Sequence, residues 1–415
     1  MATPRSPSFA ELARRTEEIT PFLAVEVFER AQELERQGHE VVHLEFGEPD
    51  FETPEPVRAA AIRALRDGRT KYTHSLGLPA LREAIAERYL ARYGVAVSPD
   101  QILVTAGTSP AMLLLFTGLL SPGDEVVLTD PHYACYPNFV RYADAVPVRV
   151  PAPEAAGWRA APAAVAERLT PRTRAVLVNS PANPTGAVTP PGDLAALAEL
   201  AERHDLWIVS DEIYHELSYG APDHTILEFT DRAFVLNGFS KAYAMTGWRL
   251  GYLVAPKAHA RRLQRLHQNF FISANEFVQW AGVAALREAG ADVARFRAIF
   301  DERRRAMVAG LRGLGLGVGP EPAGAFYVFA DAGRHCRSSY DFAFELLAGA
   351  HVAVTPGIDF GPGGEGYLRF SYANALPRIQ DALARVGRFL AGREPSAGTA
   401  AAGPPGPCCG GAAPR

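Results

Sequence analysis

The chain has 415 residues, 48% of them apolar, and a formal net charge of −4. That length allows two or three domains of about 150 residues each and a sizeable core. The slight acidity argues against a nucleic-acid footprint, which needs a clustered basic excess, and no run of about 18 apolar residues suggests a membrane span.

The first residues, "MATPRSPSFAELARRTEEI", carry no apolar stretch of the kind a secretory signal needs. Cys135 and Cys336 are isolated, Cys408 and Cys409 are adjacent, and none has CxxC spacing, so the expectation is a reduced, cytoplasmic protein without zinc. "AVEVFERAQELERQG" predicts an amphipathic helix stopped by Gly38. "TPEPVRAAAIRALRDG" predicts a second, with Thr53 as cap, and "LPALREAIAERYLARYG" a third. Seven short apolar runs follow: "QILVTAG", "EVVLTD", "AVPVRV", "AVLVNSP", "LWIVSDE", "AFVLNGF" and "LGYLVAP", most separated by helical stretches. That rhythm predicts an α/β fold whose large domain, residues 47–290, holds a mostly parallel sheet flanked by helices. The long helix "DVARFRAIFDERRRAMVAGLRGLG" opens a smaller α+β domain over 291–391, which residues 1–46 join. The Gly/Pro/Ala-rich tail 392–415 reads as disordered.

In a parallel sheet, ligands gather beyond the carboxyl ends of the strands. Asn183, Asp211 and Lys241 stand just past three such ends, 28 and 30 residues apart, about one βα unit each. Singly, each has a plainer reading: turn chemistry for Asn183 before proline, a helix cap for Asp211, solvation for Lys241, edge packing for Tyr214. Jointly they place an amide, a carboxylate and an amine on one edge. Lys241 is one of three lysines among 42 basic residues. An amine condenses with an aldehyde where a guanidinium does not. Arg249 can depress the amine's pKa and hold an anion, while Gly238 and Gly247 suggest close approach of a bulky ligand. The strand–turn–helix "ILVTAGTSPAMLLLF" offers free N–H groups with Thr108 and Ser109 as a phosphate site. The ligand these groups imply is an aldehyde carrying a phosphate.

"NGFSKAYAMTGWRLGY", "NSPANPTG", "SDEIYHEL", "FGEPDFETPEPV", "KYTHSLGLPALREAI" and "YLRFSYAN" resemble, in order, the blocks of the fold-type I, class I pyridoxal-phosphate-dependent aminotransferases, the aspartate aminotransferase-like family. The resemblance spans residues 15–391. It implies pyridoxal 5'-phosphate held as a Schiff base by Lys241, which then moves a proton, with Asp211 at the pyridine nitrogen. Tyr214 and Asn183 would bond the ring's phenolic oxygen, Tyr133 would stack on the ring, and Thr108, Ser109, Ser240 and Arg249 would hold the phosphate. Arg369 would bind the substrate α-carboxylate with Gly47 completing the clamp; from the residues alone, an arginine in that alternating strand reads as a surface residue. Tyr72 and the segment near Ser273 would reach across a homodimer interface. An L-amino acid and a 2-oxo acid are then the substrates of a ping-pong transamination. A carbon–sulfur β-lyase on the same residues and a non-catalytic ligand sensor are the alternatives.

Three positions depart from the family's pattern. Gly238 stands where a phosphate-binding serine is common, and Pro110 where a polar residue is common. Ser109 stands where some aspartate-specific relatives carry a lysine for the distal carboxylate. Phe22 and Phe46 read as core packing, with an apolar substrate wall as the alternative. No histidine pair has metal-site spacing, and the "DERRRAM" run reads as a solvated helix face.

Overall fold

The computed structural model describes residues 12–13 and 15–392; the remaining tail, with Cys408 and Cys409, lies outside the described residues. After a short strand β1 (Val42–His43), the seven apolar runs form β2 (Ile102–Thr105), β3 (Glu125–Asp130), β4 (Val146–Pro151), β5 (Thr173–Asn179), β6 (Trp207–Asp211), β7 (Ala233–Gly238) and β8 (Gly251–Val254). They make one sheet in the order β2-β8-β7-β6-β5-β3-β4. All neighbours are parallel except β8, which runs against both β2 and β7. Side chains alternate between two cores: Val127, Val176, Val178 and Val235 enter one, Val126, Leu128, Leu177 and Leu236 the other. Burial on both faces explains why these strands read as continuous apolar runs.

Antiparallel strands β9 (Tyr327–Asp331), β11 (Thr355–Pro356) and β12 (Tyr367–Ser371) form a second sheet with β12 in the centre. The helices Gly290–Gly313, Ser339–Ala350 and Leu376–Ala391 pack beside it through Phe300, Met307, Phe342, Leu346 and Val386. Strand β1 pairs in parallel with β10 (Val352–Ala353), so the segment just before Gly47 is stitched to the C-terminal elements.

Three local readings are corrected. Thr53 does not cap the helix Glu55–Arg66, whose N-cap is Pro54. Its hydroxyl instead donates to Ala244 O (2.6 Å) and accepts from Trp248 Nε1 (3.0 Å), tying that helix to the loop that carries Lys241. In "DERRRAM", Arg303 is buried and makes a two-pronged bond to Asp50 (2.6 and 2.9 Å). A planar guanidinium matches a carboxylate in that geometry, and the pair anchors the "FGEPDF" loop. A Cβ at Gly238 would lie 3.0 Å from Gly251 Cα and from the Leu250 carbonyl oxygen, so its missing side chain serves strand packing, while Gly247 has open space around it.

Candidate active site

Strands β5, β6 and β7 lie side by side, with Asn179 opposite Asp211 and Asp211 opposite Leu236. The polar tips that follow them therefore meet at one edge. A cleft of about 220 Å³ opens there, lined by Gly47, Thr108, Ser109, Tyr133, Asn183, Asp211, Tyr214, Ser240, Lys241, Arg249 and Arg369. Of the residues expected at the site, only Tyr72 is elsewhere: it is 82% exposed on the surface of its own chain.

Asp211 is buried. Its carboxylate accepts from the Tyr136 hydroxyl (2.7 Å) and from Ile213 N (3.2 Å). Burial pushes its pKa up to about 6, against the pull of those two donors and of Lys241. Lys241 donates to Gly47 O at 2.5 Å. Burial lowers its pKa to about 8; Arg369 and Arg249 push the same way, and Glu48 and Asp211 oppose them. At pH 7 that leaves about 10% of the amine unprotonated, against roughly 0.03% for an ordinary lysine.

The helix Thr108–Leu119 starts at the cleft, and its N-cap is Gly107 with φ of 102°. A Cβ there would lie 2.6 Å from Arg249 Nη2, so only glycine lets the guanidinium settle on the turn. Arg249 is braced by its own bond to Thr246 O (2.9 Å). The free N–H groups of the helix start, the Thr108, Ser109 and Ser240 hydroxyls and Arg249 form a cradle suited to a phosphate.

Arg369, 2% exposed, is the reverse of a surface residue. It donates to Asn183 Oδ1 (2.8 Å), to Thr355 Oγ1 (3.0 Å) and to the Glu45 carbonyl, and it lies over the rings of Tyr327 and Phe360 at 4.5 and 4.9 Å. The Glu45 carbonyl accepts from Arg369, and Gly47 O accepts from Lys241. A Cβ at Gly47 would overlap the Tyr327 hydroxyl. The Tyr214 hydroxyl meets that of Tyr327 at 2.7 Å.

Several lining residues escaped sequence reasoning: Tyr136, Asn179, Met112, Ile213 and Tyr327. Tyr136, three residues after Tyr133, had a signal only in retrospect, since nothing local shows that it reaches Asp211, 75 residues away. Phe22 and Phe46, read as core, both line the cleft.

Residues 39–385 match the family model "Aminotransferase class I and II". The chain belongs to this family. It is 41% identical to the probable aspartate/prephenate aminotransferase of Thermus aquaticus, over 91% of this chain and 99% of that one. It is 39% identical to the valine–pyruvate aminotransferase of Mycobacterium tuberculosis, over 90% and 97%. The solved aspartate aminotransferase of Thermus thermophilus with maleate superimposes with a TM-score of 0.88 at 41% identity, covering 92% of this chain and all of that one. The protein is a pyridoxal-phosphate-dependent enzyme that transfers the amino group of an L-amino acid to a 2-oxo acid. The class fits the residues present: a low-pKa amine, a buried carboxylate and a glycine-lined anion cradle share one cleft. No cluster of metal-ligating side chains occurs among the described residues.

Proposed function

We propose that Lys241, Asp211 and Arg369 carry out a ping-pong transamination, each with a separate task. The observation that carries the reading is the convergence of Lys241 Nζ with its depressed pKa, the buried Asp211 carboxylate and the Arg369 fork in one cleft. When bound, pyridoxal 5'-phosphate supplies the aldehyde and the electron-accepting ring. The Lys241 amine would hold that aldehyde carbon and afterwards take and return the proton at the substrate Cα. Asp211 would pair with the ring nitrogen and keep it protonated; the Tyr136 hydroxyl and Ile213 N orient the carboxylate. Tyr133 would stack on the ring, Asn183 and Tyr214 would bond its phenolic oxygen, and Thr108, Ser109, Ser240 and Arg249 would hold the phosphate.

Arg369 donates through Nη1 to Asn183 and through Nη2 to Thr355 and the Glu45 carbonyl, and its Nε is buried without an acceptor. We assign the substrate α-carboxylate to one edge of this guanidinium, which would take over part of those bonds; a planar two-pronged contact would fix which Cα bond stands perpendicular to the ring.

The Asp211→Asn variant is expected to lose about 10²–10³-fold in kcat, the range for a preorganised charge at the reacting group, while retaining bound cofactor. Single-turnover half-reactions check this; an unchanged rate would remove Asp211 from the proposed role.

The working unit is proposed to be a homodimer. Tyr72, Phe270 and Ile272 are exposed apolar side chains on adjoining segments, joined by bonds from Thr73 N to Ser273 Oγ (3.2 Å) and from Lys71 N to Glu276 Oε2 (3.1 Å). A groove lined by Thr246, Arg249, Asn275 and Phe277 opens beside the phosphate cradle, where Tyr72 of a second copy would contribute. Sedimentation of the holoprotein as a monomer at micromolar concentration would contradict the dimer. A cytoplasmic location is proposed from the sequence alone; among the described residues Cys135 and Cys336 are free. Among the described residues no helix is long and apolar enough to cross a membrane.

A further inference from the structure

We propose that this enzyme accepts amino acids with apolar side chains, aliphatic or aromatic, in preference to acidic ones, and that Phe22 and Phe46 set the choice. The inference rests on the aminotransferase reading above and names its substrate class.

Four charged residues line the cleft: Asp211, Lys241, Arg249 and Arg369. Each is committed. Lys241 and Asp211 serve the ring and aldehyde, Arg249 sits on the Gly107 turn at the phosphate cradle, and Arg369 is the carboxylate fork. No cation of this chain is left in the cleft to meet a second substrate carboxylate. The lining left over is uncharged: Phe22, Phe46, Met112, Ile213 and Tyr327, with Tyr136 and Asn179 bonded to Asp211.

The two phenylalanines are held, not merely placed. Phe22 meets the Tyr133 ring edge-on, centroids 6.0 Å apart, and Phe46 packs on Phe28 at 4.8 Å. The turn that carries Phe22 is fixed on both sides. Asn138 Oδ1 accepts from Thr20 N (3.3 Å) and Oγ1 (3.2 Å), and Asn138 Nδ2 donates to Thr20 O (3.1 Å). Asp359 Oδ1 accepts from Leu23 N (3.1 Å). Phe46 lies between two clamped carbonyls, Glu45 O on Arg369 and Gly47 O on Lys241. The wall cannot readily fold away to admit a hydrated group.

The ionisable group at the Phe22 turn is itself acidic. The other Asp359 oxygen, Oδ2, is buried without a partner, and burial pushes that carboxyl up to about 6. A substrate carboxylate against the Phe22–Phe46 wall would lose its water and gain no counter-charge from this chain. An apolar side chain would gain contact with aromatic surface.

The test is a spectroscopic half-reaction screen on the purified holoenzyme with leucine, valine, phenylalanine, aspartate and glutamate. The apolar substrates are expected to exceed the acidic ones by on the order of a hundredfold in kcat/KM, the size of discrimination an apolar pocket supplies. Phe46→Lys, which places a cation at the wall, is expected to shift the ratio toward aspartate by about tenfold or more, and Phe22→Ser to shift it the same way. A preference of the unmodified enzyme for aspartate or glutamate would mean that a cation reaches this wall from outside the cleft and would overturn the inference. An unchanged ratio in Phe22→Ser would overturn the role of that residue. Failure of all five amino acids to react would instead remove the aminotransferase reading on which the inference stands.

Discussion

Replacing Lys241 by alanine is expected to abolish turnover, by roughly 10⁴-fold or more, since one side chain is proposed to be both the covalent anchor and the proton carrier. The loss is larger than for any other residue of the cleft because no neighbour can substitute. Lys71 and Lys257, the other two lysines, are not among the residues that line the cleft, and an arginine stays protonated at any working pH. The variant also loses the visible absorption of the covalently held cofactor. The depressed pKa adds a pH signature. Uptake of cofactor by the unmodified apoprotein needs the neutral amine, whose pKa is about 8. The rate therefore rises about tenfold per pH unit below that value and levels off above it. Stopped-flow absorbance measures both effects. A plateau reached only above pH 10 would show a lysine that is not desolvated.

Arg369→Ala has the second-largest expected effect, and it falls on the substrate. Hydrogen bonds to charged groups contribute roughly 1.5–3 kcal/mol each. Losing two of them lowers kcat/KM for the amino acid by about 10²–10⁴-fold. Cofactor content is expected to stay close to that of the unmodified enzyme, because no partner of Arg369 belongs to the phosphate cradle and only Asn183 is proposed to touch the ring. Arg369→Lys keeps the charge but not the fork and falls between the two. Equal losses in amino-acid and cofactor binding would count against the carboxylate clamp.

The large sheet was legible because its strands are buried on both faces and so appear as unbroken apolar runs. All seven runs are strands of one sheet. The Asn183, Asp211 and Lys241 tips were legible for a related reason: neighbouring parallel strands put their carboxyl ends on one edge. The residues that local reading misjudged have partners remote in sequence. Arg369 looks solvent-facing because alternation along a strand assumes water on one side. Here β12 is the central strand of its sheet, and the side chain is enclosed by Glu45, 324 residues away, and Asn183, 186 away. Arg303 follows the same logic. Neighbouring acids make its run look solvated, yet its partner is Asp50, 253 residues distant. Thr53 has the residue type of a helix cap, but Trp248 and Ala244 take its hydroxyl. Phe22 and Phe46 have nothing in their sequence neighbourhood to separate a pocket wall from a core; only the cleft geometry does.

The most direct measurement is borohydride reduction of the purified holoprotein followed by peptide mapping. The peptide spanning residue 241 is expected to carry the pyridoxyl adduct, in near-stoichiometric yield and at no other lysine. An adduct on Lys71 or Lys257, or none at all, would contradict the account.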